Sequence, residues 1–192
     1  MILFRALYKC HHLIKVLPIL LSLTVLSGCG YHLRATGDPM GIKIGSLSIP
    51  LMKSDSSSLG FEGLFTSAIR EEFASHSKVP IVREEEATTV LIGRVYEIKT
   101  APISYNIIQN RVQGNMTTYE ETKTRRMKIK LDAKLVNRAD GKIIWEARGM
   151  EEKSSFSVGN DPLANRYNQR LAVQKSASRF AERLYSKTME RF

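Results

Sequence analysis

From Met127 to Leu135 every second residue is apolar (Met127, Ile129, Leu131, Ala133, Leu135), and the residues between are Lys128, Lys130, Asp132 and Lys134. Period-two alternation belongs to a β-strand with one face buried, and it predicts a long strand over 120–136. Weaker versions predict strands at 42–49, carried by Ile42, Ile44, Leu47 and Ile49 and ended by Pro50, at 90–99, ended by Pro102, and at 142–148. Val79 to Arg83 reads as a short edge strand and Glu84-Glu85-Glu86 as a solvated turn. Between the last two long strands, Asp140-Gly141 has the chemistry of a hairpin turn. The period changes twice. After the polar break Ser54-Asp55-Ser56-Ser57-Ser58, residues Phe61, Leu64, Phe65, Ala68, Ile69 and Phe73 repeat at helical spacing. A second helix starts at Asp161-Pro162, an N-cap followed by proline in the first turn. Leu163, Tyr167, Val173, Ala177, Phe180, Ala181, Leu184 and Tyr185 run along one face of it.

Two amphipathic helices and several strands with one apolar face each bury their stripes together most economically in two layers. The expected fold is therefore an α+β two-layer sandwich: a four- to five-stranded mixed sheet with two helices packed on one face. The other face of the sheet is left for solvent or a partner.

The amino terminus follows neither period. Arg5, Lys9 and Lys15 precede an apolar run from Val16 to Leu26, and then Ser27-Gly28-Cys29. A basic start, a short apolar core and small residues make a secretory signal peptide; the run is well below the roughly 20 residues a bilayer span needs. Leu26-Ser27-Gly28-Cys29 also resembles a bacterial lipobox, in which the cysteine is acylated and becomes the first mature residue; an ordinary signal peptide with a chance cysteine is the plainer alternative. The expected organisation is a cleaved signal peptide over 1–28, a lipidated tether over 29–41 with Cys29 as the lipidation site, and a single α/β domain over 42–192. By resemblance to enterobacterial lipoproteins, Gly30 rather than aspartate after the cysteine favours the outer membrane.

Charge narrows the partners. The signal peptide holds three of the 29 basic residues and none of the 19 acidic ones, so the rest of the chain carries about +7. Such a surplus points to nucleic acid, an anionic membrane or another phosphate-rich partner; export removes nucleic acid and leaves lipopolysaccharide or phospholipid head groups. With Cys10 in the leader and Cys29 lipidated, no cysteine remains for a disulfide or a thiolate metal site. Only His32 and His76 remain beyond the leader, and no phosphate loop or nucleophile elbow appears, so neither catalytic residues nor a metal or other cofactor are expected. The candidate site is the polar side of the long strand: Arg126, Lys128, Lys130 and Lys134 spread along about 25 Å of one sheet face at 3.3 Å per residue. They suit a surface bearing several phosphates, or simply keep an exposed face soluble and unpaired. Pro102-Ile103-Ser104-Tyr105-Asn106-Ile107-Ile108 reads as a sticky connection able to anchor in another protein, or as an extension of the neighbouring hairpin. Trp145, with Ile143 and Ala147, reads as core.

Several of these segments together resemble one family. Cys29-Gly30-Tyr31-His32-Leu33-Arg34, the strand Ile42 to Pro50, the helix with Leu64-Phe65 and Ala68-Ile69-Arg70-Glu71-Glu72-Phe73, then Leu91-Ile92-Gly93-Arg94-Val95, Pro102, Ser104-Tyr105 and Gly141-Lys142-Ile143-Ile144-Trp145 follow in the order seen in the LptE family of lipopolysaccharide-assembly lipoproteins. The resemblance implies a noncatalytic outer-membrane lipoprotein that plugs an LptD-like β-barrel, assists its assembly, binds lipopolysaccharide and faces the periplasm and barrel lumen. The competing expectation is an outer-membrane lipoprotein that regulates a cell-wall synthase or acts as a secretion pilot.

Overall fold

The computed structural model describes residues 44–55, 61–112 and 114–189. The expected signal peptide, Cys29, the tether, the first residues of the 42–49 strand and the serine-rich approach to the first helix lie outside the described residues.

The alternating segment forms the centre of the sheet. Its strands are β1 (Leu47–Ser48), β2 (Lys53–Ser54), β3 (Thr89–Val112), β4 (Asn115–Asn137) and β5 (Ile143–Ser157). The order is β1-β3-β4-β5, with β2 also on β3; β1 and β2 lie parallel to β3, and the β3-β4 and β4-β5 pairs are antiparallel. This is the mixed sheet expected. Ile81 bridges to Leu47 in parallel, so the expected 79–83 edge strand is reduced to one bridge. Two helices, α1 (Phe61–His76) and α2 (Pro162–Met189), supply the second layer. Met127, Ile129, Leu131 and Leu135 of β4 are fully buried beneath them, together with Phe65, Ile69 and Phe73 of α1 and Val173, Ala177, Phe180 and Leu184 of α2.

Polar contacts fix how the layers meet. Thr66 Oγ1 accepts the Met52 N–H at 2.9 Å and donates to the Glu62 carbonyl at 2.7 Å, and the Arg70 guanidinium donates twice to the Ile49 carbonyl. On the other side, Ser154 Oγ donates to the Ala172 carbonyl and accepts from Ser176 Oγ, both at 3.0 Å in the buried interior. The helices run parallel: Phe65 packs on Phe180 and, further along both, Phe73 packs edge-on against Tyr185. Gly93 has a specific purpose, because a Cβ there would lie 2.0 Å from the buried Met52 Sδ.

Strand lengths depart from the sequence reading. β3 does not stop before Pro102 but continues to Val112, because shifts of register at Pro102, Ser104 and Tyr105 take up the irregularity; an exposed bulge tolerates the missing proline N–H. Pro102 to Ile108 is thus the hairpin extension rather than a loop. β5 passes its expected end at Arg148 because Gly149 adopts φ 65° in a bulge opposite Asp132, whose carboxylate accepts the Gly149 N–H at 2.7 Å. Beyond the Thr124–Ser157 pair, β3 and β4 continue alone as a two-stranded ribbon to the turn at Gly114.

At α2 the Asp161 cap is as expected, its carboxylate accepting the Leu163 N–H at 2.8 Å. Leu163 and Tyr167, expected on the buried face, are exposed instead. With Phe65 level with Phe180, α1 begins beside the middle of α2, and among the described residues no helix lies against the first turns of α2. Finally, β5 is the outer strand, and α2 side chains reach its outward carbonyls: Arg183 donates to Glu151, Arg179 to Lys153 and Asn168 to Ser157, at 2.9, 3.1 and 3.1 Å.

Candidate functional site

Alternation along β4 places Arg126, Lys128, Lys130 and Lys134 together on the face away from the helices, as expected; Arg126 is exposed and the lysines half-buried. What the alternation does not show is the company each keeps, because that depends on register with both neighbouring strands. Directly opposite residues share a face. Lys128 lies between Lys99 of β3 and Lys153 of β5, and Lys130 between Glu97 and Glu151. Asp132 faces Arg94 on one side and the Arg148–Gly149 bulge on the other, Lys134 lies between Ile92 and Glu146, and Arg126 between Ala101 and Ser155.

The face is therefore banded across the strands rather than striped along one. Its cations are Arg94, Lys99, Arg126, Lys128, Lys130, Lys134, Arg148 and Lys153, against the carboxylates Glu97, Asp132, Glu146 and Glu151. The surplus is concentrated at the end nearer the ribbon, where the row Lys99–Lys128–Lys153 carries three like charges and Arg126 follows. Towards the other end, signs alternate and nearly cancel. Arg94 is held by Asp55 of the segment after β2, and Arg148 by Glu146 at 2.9 Å.

Glu97 and Glu151 organise the lysines. Glu97 Oε2 accepts from Lys99 Nζ at 2.8 Å, while its Oε1, buried and without a hydrogen bond, lies 3.5 Å from Lys128 Nζ and 3.6 Å from Lys130 Nζ. Glu151 takes Lys153 at 3.0 Å and Lys128 at 3.8 Å. The hydrogen bond from Lys99 is the main reason the Glu97 carboxyl is held below its ordinary value; Lys153 does the same for Glu151, and Arg148 for Glu146. All three stay ionised at neutral pH, and the lysine ammonium groups are drawn to Glu97 and Glu151.

Lys99, Lys153 and Glu97 were not singled out by sequence. A signal for them exists: Glu97-x-Lys99 and Glu151-x-Lys153 repeat the same charge pair two residues apart on the two strands flanking β4. Relating the two pairs, however, requires the bulges at Tyr96 and Gly149 that set the register.

Trp145, His76 and Glu84–Glu86 lie where the sequence puts them. Trp145 is buried, with Lys187 Nζ 5.7 Å from its ring centroid, but Ile143, expected beside it in the core, is exposed because the register with β4 shifts between Leu135 and Val136. His76 ends α1 in the open, beside Glu72 at 3.2 Å. Glu84–Glu86 is an exposed single turn. Among the described residues no group of three or more His, Cys, Asp or Glu is placed to hold a metal ion.

The fold has counterparts among known proteins. A family model described as lipopolysaccharide-assembly matches residues 44–188. No curated protein sequence matches. Among solved structures, protein XCC0632 from Xanthomonas campestris is similar at a TM-score of 0.51 with 11% identity, over 83% of this chain and 92% of that one. Lipoprotein B from Nitrosomonas europaea is similar at 0.50 with 9% identity, over 81% and 88%. The rare lipoprotein B of Shewanella oneidensis gives 0.42 with 16% identity, over 74% and 92%. At these identities the first two support the fold alone.

Proposed function

Because the chain belongs to the LptE family of lipopolysaccharide-assembly proteins, we propose that it is a noncatalytic outer-membrane lipoprotein, anchored through an acylated Cys29, that occupies the lumen of an LptD-like β-barrel and binds lipopolysaccharide on its way to the cell surface. The family match over nearly the whole described domain carries this reading. The open sheet face supports the ligand half of it. Arg126, Lys128, Lys130 and Lys134, with the cations of the flanking strands, offer charge-assisted contacts to phosphate on a surface the helices leave bare. The ribbon supports the partner half. Tyr105, Ile107, Met116 and Tyr119 are exposed on it, and tyrosine and methionine are enriched where proteins meet.

The test is affinity purification of the lipidated protein from detergent-solubilised outer membranes. The expected result is one large β-barrel in equimolar amount, with lipopolysaccharide retained. Recovery of the protein alone, or with a cell-wall synthase or secretion ring, overturns the assignment.

A further inference from the structure

We propose that ligand phosphates are held at one end of the open face only, by Lys99, Lys128 and Lys153 with Arg126, and that Glu97 is the residue that positions Lys99 and Lys128. This rests on the glycolipid reading above and sharpens it: Lys134, on the same strand face, contributes little.

The argument is one of register. Lys99, Lys128 and Lys153 are directly opposite one another on three adjacent strands, so at about 4.8 Å between strands their Cα atoms span roughly 10 Å. Arg126 lies two residues further along, about 7 Å away. Like charges directly opposite are unfavourable in a sheet, and here the next row compensates: Glu97 and Glu151 draw Lys99, Lys128, Lys130 and Lys153 towards themselves at 2.8–3.8 Å. Four ammonium groups share two carboxylates, and no described carboxylate pairs with Arg126. An anion settling on this row thus meets cations already ordered, and a positive surplus not yet neutralised. The rest of the face lacks that surplus. Lys134 faces Glu146, Asp132 lies between Arg94 and Arg148, and Arg94 and Arg148 have carboxylates of their own. A row about 10 Å wide accepts a ligand with more than one phosphate, the chemistry of a phosphorylated glycolipid.

Glu97 is the more central of the two carboxylates. It reaches three lysines, and its buried Oε1 has no hydrogen bond of its own to satisfy elsewhere. Its negative charge opposes anion binding in simple Coulomb terms, yet it holds the ammonium groups where an anion needs them.

The experiment is titration of the mature lipidated protein in detergent with lipopolysaccharide and with its enzymatically dephosphorylated form, over a range of salt, with thermal unfolding of each variant alongside. The double variant Lys99→Gln, Lys153→Gln is expected to lose about tenfold or more in affinity and to flatten the salt dependence. Lys134→Gln is expected to stay within about twofold, and the dephosphorylated ligand to bind alike to all forms. Glu97→Gln is expected to weaken binding although it adds a net positive charge. Equal losses from Lys134→Gln and from the double variant overturn the localised site, and tighter binding by Glu97→Gln overturns its positioning role. No binding of lipopolysaccharide by the unaltered protein overturns the glycolipid reading itself, an outcome distinct from either.

Discussion

The same two strands, β3 and β4, live in two environments. From Thr89 to Ala101 and from Arg126 to Asn137 they are the middle of a sheet, with neighbours on both sides for part of their length and two helices on one face. From Ser104 to Val112 and from Asn115 to Thr122 they are a bare ribbon. In the body, Met127, Ile129, Leu131 and Leu135 are 0% exposed; in the ribbon, Ile107 is 71% exposed and Met116 61%. Apolar side chains occur in both, so composition does not separate them. Cover does. Ile107 and Ile108 are consecutive and point to opposite sides, so the ribbon carries apolar groups on both faces and, among the described residues, rests on no second layer. A lone two-stranded hairpin is at best marginally stable in water; this one borrows its order from the strands that continue into the body. Stability resides in one half of the hairpin and surface for contact in the other.

Three measurements break or sharpen that contrast. The largest effect belongs to the body: Phe180→Ala empties the space between α2 and Phe65 and is expected to cost about 3–5 kcal/mol, read as a lower urea midpoint with an unchanged slope. A smaller effect comes from the open face and appears only in acid. Glu97, Glu146 and Glu151 have folded-state carboxyls held below the ordinary value of 4.5. Their contribution is present above the unfolded value and is lost as pH falls through the depressed folded values. Unfolding followed downward from pH 6 is therefore expected to show stability declining below about pH 4.5, less steeply in Glu97→Gln. Because Glu146 and Glu151 are open to solvent and Glu97 is only partly covered, the decline is modest and shrinks with added salt. The smallest effect is in the ribbon, where Ile107→Ser is expected to change unfolding by no more than about 0.5 kcal/mol. A large loss there would mean that the ribbon is part of the core after all.

Periodicity was a good guide wherever a side chain's fate depends on its own strand or helix. The buried face of β4, the Phe65–Ile69–Phe73 face of α1 and the Asp161 cap of α2 all follow from local spacing. It failed where the outcome depends on a distant neighbour. Leu163 and Tyr167 have the spacing of core residues, but the helix that would cover them starts too far along α2. Pro102 has the signature of a strand end, and a bulge carries the strand past it. The candidate site divides in the same way: that Arg126, Lys128, Lys130 and Lys134 share a face is legible in β4 alone. That Lys128 has lysines on either side while Lys130 has glutamates is a property of three strands and of the bulges at Tyr96 and Gly149 that bring them into register.

The capping of β5 by α2 has a consequence in the order of events during synthesis. A chain is made amino terminus first, so all five strands are complete before Asn168, Arg179 and Arg183 have been added. Until then the carbonyls of Glu151, Lys153 and Ser157 form an open edge, the kind of template on which strands of separate chains pair. The last helix to be made is the element that closes it. A nascent chain that pauses or ends before residue 162 keeps that edge exposed, which gives any holding factor that delays folding until the carboxyl terminus arrives a defined surface to shield.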